Sequence, residues 1–299
     1  MMKHKTNRIK KSVFDKTFDT INMILMLVLG MIMLYPMLYV LFASLSEPFE
    51  FMKHKGFLWH SLGFTFGSYA NAFENPMLIR SYANTIFVLV VGVLLNLVLT
   101  ACGAYFLSRK DVKLQKFIAI YIIITMFFSG GMIPFYFVVR GLGLEDSLWS
   151  LILPAGINTF NLMILRVAFD AVPQGLEESA KLDGAGHVTI LFRIILPVTK
   201  ASIAVIGLYY AVAHWNSWFN AMLFLNDRNK YPLQLVLREI LINSDTTSMT
   251  MGTAVSDLEY VGETVKYAVI IISTLPILCV YPFIQKYFTK GAMIGAVKG

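Results

Sequence analysis

Six stretches of the chain are apolar almost without interruption, and the polar residues gather between them. Ile21–Ser44, Ser81–Leu107, Phe117–Val138, Leu148–Phe169, Ala201–Leu225 and Tyr267–Gln285 each reach the roughly 20 residues that a helix needs to cross a hydrocarbon core. The pattern predicts an all-α, polytopic membrane protein with six transmembrane helices. No stretch aligns with another as a repeat. The first run is longer than the apolar core of a secretory signal, and Ser44-Leu45-Ser46-Glu47 makes a poor cleavage site, so it is read as an uncleaved helix.

Two of the six stretches carry helix breakers. The third contains FFSGGMIPF, Phe127–Phe135, and the fourth contains LPAGINTFN, Leu153–Asn161. Unwound backbone at membrane depth is tolerated only where protein or a water-filled cavity satisfies it, and paired interruptions of this kind point to a transport pathway. The fifth stretch adds GLYYAVAHWNSWFNAMLF, Gly207–Phe224. Projected at about 100° per residue, it gathers Tyr209, Tyr210, Ala213, His214, Asn216, Ser217 and Asn220 on one side and Trp215, Trp218, Phe219 and Met222 on the other. A wet side on a membrane helix requires either a polar partner or a water path, so hydrogen bonding between helices and pore lining both remain open for these residues.

The connectors are unequal. Residues 47–80 and 226–266 form two long polar excursions, and the second contains YPLQLVLREILI, in which Leu233, Val236, Leu237 and Ile240 recur at helical spacing behind Pro232. The third, residues 172–197, is PQGLEESAKLDGAGHVTILFRIILP with its flanking valine. Pro173 suits a first helical turn, and Glu177 and Glu178 lie near enough to its N-terminus to be favoured by the helix dipole. Asp183, Gly184, Ala185 and Gly186 then form a break, and the run from Val188 to Ile195 is apolar enough to reinsert. The expected result is a short helix, a turn and a second helix leading into the fifth span.

Composition agrees with the membrane reading. Of 299 residues 57% are hydrophobic and 14% charged, with a mean hydropathy of +0.66, against about 25% charged in soluble domains. If the N-terminus is cytoplasmic, 17 of the 25 lysines and arginines fall in inside segments. The positive-inside rule therefore puts both termini in the cytoplasm. Membrane orientation accounts for the net charge of +7, so no nucleic-acid partner is expected. The two cysteines, Cys102 and Cys279, lie within spans and are expected to be small buried hydrophobes rather than disulfide or metal ligands.

Apart from His214, and Arg166 near the end of the fourth, the apolar stretches hold no ionisable side chain. This disfavours an ion-driven transporter. H-E-x-x-H does not occur, which disfavours zinc proteolysis, and without G-x-x-x-x-G-K-[ST] the chain cannot bind ATP by that loop.

Glu178-Ser179-Ala180, three residues, Gly184, nine residues, then Ile194-Ile195-Leu196-Pro197 resembles the E-A-A-x3-G-x9-I-x-L-P loop of ABC importer permeases, with Ser179 for the second alanine. From about Ser81 onward, FFSGGMIPFYFVVRGLGLEDSLWSLILP, AVAHWNSWFNAMLFLNDRNKYPLQLVLREIL and the tail QKYFTKGAMIGAVKG resemble the carbohydrate branch. They are similar to maltose-type second permeases and to the subgroup for oligosaccharides released from complex polysaccharides. The resemblance implies a type I importer permease fold, with residues 1–80 supplying an N-terminal tail, first span and outer loop and residues 81–299 the permease core. It further implies that Glu178, Ser179, Ala180, Asp183, Gly184 and Ala185 dock on an ATPase subunit, towards which Lys290–Gly299 also runs. Tyr209, Tyr210, His214, Asn216, Ser217 and Asn220 are the candidate substrate pathway.

The implied partners are a second homologous permease, two ATPase subunits that carry ATP and magnesium, an extracellular solute-binding protein, an oligosaccharide and membrane lipid. No cofactor is expected on this chain, nor a catalytic role. Aromatic faces and amides suit a sugar, whose C–H faces stack while its hydroxyls hydrogen-bond. Two alternatives are an importer for another polar solute and a membrane-embedded glycan-processing enzyme. The second would need facing carboxylates, and Glu177 and Glu178 are sequence neighbours that do not face each other.

Overall fold

The computed structural model describes residues 12–109, 111–250 and 257–296, with side chains at 12–109, 111–242 and 262–282. The described residues contain helices and no strand. They divide into two compact units, one of residues up to Ala70 with those from 257 to Ile271, the other of residues 71–250 with those from Ile272 onward.

The first unit is built on α1, Val13–Ser44. Its start is fixed by a capping box, in which the Ser12 amide donates to the Asp15 carboxylate at 2.9 Å. No residue of its most apolar 18-residue window is buried among the described residues. Behind it come α2 (Pro48–Lys53) and a loop held by the Ser46 hydroxyl, which accepts from the Leu62 amide at 2.9 Å. Tyr39, Phe51 and Tyr267 meet edge to face with ring centroids 5.5–6.3 Å apart, and Ala43 and Leu58 are buried beside them.

The second unit is organised by α4, Pro76–Ser108, which follows α3 (Gly67–Glu74) and is capped by the Asn75 side chain on the Met77 amide at 2.9 Å. Next are α5 (Gln115–Phe127) and α6 (Met132–Gly141), then α7 (Trp149–Ile152) and α8 (Thr159–Asp170). The helix α9 (Gln174–Leu182) leads to α10 (His187–Ile190), a π-helical turn at Leu191–Ile195 and α11 (Leu196–Val198). The remaining helices are α12 (Lys200–Trp215), α13 (Trp218–Phe224), α14 (Leu233–Thr250) and α15 (Asp257–Ala296), of which only the part from Ile272 onward belongs to this unit. Buried Ala101, Ala104, Tyr105 and Leu107 of α4 form a core with Leu162, Leu165 and Phe169 of α8 and with Ile206 and Tyr210 of α12.

Val13–Ser44, Pro76–Ser108 and Gly262–Pro282 are each long and apolar enough to cross a membrane. Two bent pairs raise that number to five if each is one span. These are α5 with α6, bent by 115°, and the 187–198 segment with α12, bent by 88°. The third expected span is thus not a straight helix, because the Ser129-Gly130-Gly131 break turns the chain. The second helix of the polar connector likewise meets the fifth span at nearly a right angle. The fourth expected span is split into α7 and α8 by the proline and glycine of Leu153–Asn158.

Both cysteines are exposed, not buried. In α4 the buried positions 100, 101, 104, 105 and 108 follow the helical period, and Cys102 falls on the opposite side. Trp215 is buried at 7% exposure, while Trp218 lies under the Arg238 guanidinium, 4.6 Å from its ring centre.

The expected helix behind Pro232 begins at Leu233, whose amide donates to Thr85 of α4 at 2.8 Å. The connector before it is tied down by Asp146. This carboxylate accepts from the amides of Asn226 at 3.0 Å and Asp227 at 2.9 Å and from Lys230 Nζ at 2.7 Å. These bonds, that from Lys230 first, hold the Asp146 carboxyl at about 2, below its ordinary 3.8. A folded value below the unfolded one stabilises above the ordinary value and is lost as pH falls towards the folded one. Replacing Asp146 with Asn is therefore expected to lower the thermal transition of detergent-purified protein at pH 7. The gap from wild type should narrow as pH falls from 4 towards 2 and be largest at neutral pH.

Candidate functional site

The break between α7 and α8 leaves Pro154, Ala155, Gly156 and Ile157 outside any helix. Its backbone groups are met from two other helices. Asn96 of α4 donates its amide hydrogens to the carbonyls of Ala155 at 2.6 Å and Gly156 at 2.9 Å. The Tyr210 hydroxyl of α12 accepts from the Asn158 amide at 2.9 Å and pairs with the Thr100 hydroxyl at 2.7 Å. Asn158 in turn caps α8 through its side chain on the Asn161 amide at 3.1 Å.

His214 closes the network. Its Nε2 lies 2.7 Å from Asn96 Oδ1, and both residues are buried. Because the Asn96 amide nitrogen already donates to two carbonyls, its oxygen is the acceptor, so His214 carries its proton on Nε2. Gly92 makes room for the ring: a Cβ there would stand 2.5 Å from Nε2.

Beside this network is a cavity of about 540 Å³ lined by Tyr209, Tyr210, Ala213, His214, Ser217 and Asn220 from α12, α13 and their junction. Pro154, Ala155, Ile157, Asn158, Phe160 and Asn161 from the break and α8 form the other wall, with Leu151 of α7. Five of the six expected pathway residues thus share one cavity. Asn216 does not line it. The fifth span stops being helical at Asn216 and Ser217, so a single helical projection does not hold across it. Asn216 Nδ2 donates to the Val212 carbonyl at 2.9 Å and Ser217 Oγ to the His214 carbonyl at 2.9 Å, local bonds that compete with helix continuation.

At the far end of α4, α9 is fixed by Pro173 at its N-cap and by a Schellman motif at its C-terminus. The Gly184 amide donates to Lys181 at 3.0 Å and the Ala185 amide to Ala180 at 2.9 Å, with Gly184 at φ +82°. Glu178, Ser179, Asp183 and Gly184 are exposed, as is Leu182 at 88%. Ala180 is turned inward into the core with Leu107 and Phe169, and Ala185 is half-buried against it. Glu177, buried on the same side as Ala180, pairs with Arg109 and with Lys181. A second cavity, of about 750 Å³, opens here among Arg109, Asp111, Arg166, Asp170, Glu177 and Lys181. Sequence reasoning missed Gly92, Asn96, Thr100 and Arg109, whose only signal was a polar or small residue within or beside a long apolar run. The tail at Lys290–Gly299 lies outside the residues with described side chains. Among the described residues no group of three or more His, Cys, Asp or Glu side chains could hold a metal.

The described residues are helical, with a broken segment forming one wall of a polar cavity. No family model matches the chain. It is 43% identical over 284 residues to Protein LplC of Bacillus subtilis, covering 95% of this chain and 96% of that protein. It is also 41% identical over 285 residues to the polygalacturonan/rhamnogalacturonan transport system permease protein YtcP of the same organism, covering 95% and 99%. Among solved structures it is similar to a chain of a bacterial ABC transporter involved in the import of the acidic polysaccharide alginate. The TM-score is 0.85 at 32% identity, covering 94% of this chain and all of the other. The chain belongs to the sugar ABC transporter permeases and is a membrane permease subunit, not an enzyme.

Replacing Asn96 with Leu removes the donors to Ala155 and Gly156 and the acceptor of His214. Each buried polar group left unpaired costs roughly 1–3 kcal/mol, so the variant should unfold at a clearly lower temperature in detergent. Thr100→Val, which removes one bond between side chains, should cost about 1 kcal/mol or less on the scale of membrane hydrogen bonds. Equal melting of the two variants would count against the central role given to Asn96.

Proposed function

We propose that this chain is one of two homologous transmembrane subunits of an ATP-driven importer for an oligosaccharide released from a plant- or alginate-type polysaccharide. An extracellular solute-binding protein delivers the sugar, and two separate ATPase subunits bind ATP and magnesium. The names of the relatives support the substrate class, and the cavity carries the reading. Its walls combine the tyrosine, asparagine and serine side chains of Tyr209, Tyr210, Asn158, Asn161, Ser217 and Asn220 with Phe160. Rings can stack on the C–H faces of a sugar while amides and hydroxyls bond its hydroxyl groups.

In this reading the chain crosses the membrane six times with both termini in the cytoplasm. The broken pairs α5–α6 and α7–α8 serve as the third and fourth spans. Residues 1–80 supply the tail, first span and outer loop, and residues 81–299 the permease core. The connector at 172–197 is cytoplasmic, and the exposed side of α9, Glu178, Ser179, Leu182 and Asp183, meets the ATPase with Gly184 as its stop. Residues 226–266 face the binding protein. ATP binding closes the ATPase pair, α9 moves with it, and the spans alternate between outward and inward access.

Two substitutions on opposite sides of the fifth span test the pathway. Asn220→Leu should reduce uptake into proteoliposomes at equal protein level, whereas Met222→Ala, outside the cavity, should do much less. At the other end, Gly184→Val opposes a left-handed backbone at a cost of about 1–3 kcal/mol, and Glu178→Lys reverses an exposed charge. Both variants should insert in the membrane but lose uptake, with the ATPase subunit either released on purification or no longer stimulated by the loaded binding protein. Normal uptake with both present would return α9 to a solvated connector.

A further inference from the structure

We propose that the Arg109–Glu177 ion pair is a latch that carries movement of α9 into α4, making these two residues positioning residues for transport. The proposal rests on the coupling reading of α9 and goes beyond it by naming the contact through which the motion passes.

Glu177 is the one acid of α9 that faces the protein. Its side chain and that of Arg109 are each 11% exposed and are in direct contact. The other Glu177 oxygen lies 3.1 Å from Lys181 Nζ, which is 3.8 Å from Asp111. Arg109 is itself fixed in direction. Its Nε and Nη2 donate to Ser108 Oγ at 3.1 and 2.9 Å, and its guanidinium lies 4.6 Å from the Tyr105 ring centre. The Tyr105 hydroxyl reaches His187 Nδ1 at 3.1 Å. The last turn of α4 therefore grips the chain on both sides of the Gly184 turn, at α9 and at α10.

A buried pair is a weak stabilising device, because desolvation offsets most of the attraction. What it supplies here is direction. Packing at Ala180 is non-directional and would let α9 slide over the core, whereas an oriented guanidinium meeting a carboxylate fixes one register. α4 is helical without a break from Pro76 to Ser108. Asn96 and Thr100 lie on it about 14–20 Å from Arg109 at 1.5 Å per residue, and these two residues hold the broken segment and Tyr210 at the cavity. A displacement of α9 thus has a continuous rigid route to the cavity wall.

The test uses the assembled complex in proteoliposomes and measures uptake per ATP hydrolysed. Glu177→Gln is expected to lower that ratio about tenfold, within the roughly 5–150-fold range usual for coupling between sites. The ATPase subunits should stay bound, and the concentration of loaded binding protein giving half-maximal rate should not change. The reversed pair, Arg109→Glu with Glu177→Arg, should recover most of the ratio, which lost packing alone would not allow. Wild-type uptake per ATP in Glu177→Gln overturns the proposal, as does a reversed pair that restores nothing, whether it fails to insert or inserts and does not transport. Where Glu177→Gln does not insert, Arg109→Lys decides: it keeps the charge without the planar fork and is expected to lower the ratio, and an unchanged ratio overturns the latch. Glu178→Lys run in parallel separates the two readings. If it abolishes uptake while Glu177→Gln is silent, the latch alone fails; if it is silent, the coupling reading fails.

Discussion

The larger unit depends on satisfying the broken backbone between α7 and α8. Peptide groups that leave a helix away from water must find their partners within the protein, and here Asn96 and Tyr210 take up the groups of Ala155, Gly156 and Asn158. Because Asn96 spends both of its amide hydrogens there, His214 must approach with its Nε2 proton, and because His214 must approach, position 92 has no side chain. One unwound segment thereby dictates the identity of four residues on two other helices. The same segment forms a wall of the cavity, so the accommodation that makes the fold possible also provides a polar surface there.

Much of the local structure could be read from the sequence. The apolar runs, the breaks at Gly130-Gly131 and Leu153–Asn158, the helix behind Pro232 and the turn at Gly184 all rest on short-range rules, and each is present. Bend angles could not be read, since 115° and 88° depend on backbone torsions and on what each segment packs against. The fifth span was misread as one projection although Asn216 and Ser217 stand adjacent, a local signal for an interruption. The distant pairs were out of reach: Asn96 and His214 are 118 positions apart. An asparagine in an apolar run indicates that some polar partner exists but not which one.

α4 gathers these contacts along one axis. Near its start, Arg80 and Asn84 bond Asn229 and Tyr231, and Thr85 accepts from Leu233. In its middle are Gly92, Asn96 and Thr100, and at its end are Tyr105, Ser108 and Arg109. A helix with few charges along its length is nevertheless in polar contact with the segment before α14, the cavity network and α9. Apolar burial gives it stability, while the sparse polar groups give it a fixed rotation and height relative to its neighbours.

For the docking role proposed for α9, its anchoring has a further consequence. Glu177 and Ala180 fix the helix from behind and the Schellman motif ends it, so its outward side is formed before any partner arrives and little conformational freedom is lost on contact. In the docking role proposed for α9, recognition is confined to Glu178, Ser179, Leu182 and Asp183, all exposed and turned away from the contacts of Glu177 and Ala180 that hold the helix in place. Such a surface is modular: in that role its specificity can be rewritten at four positions without disturbing the permease beneath.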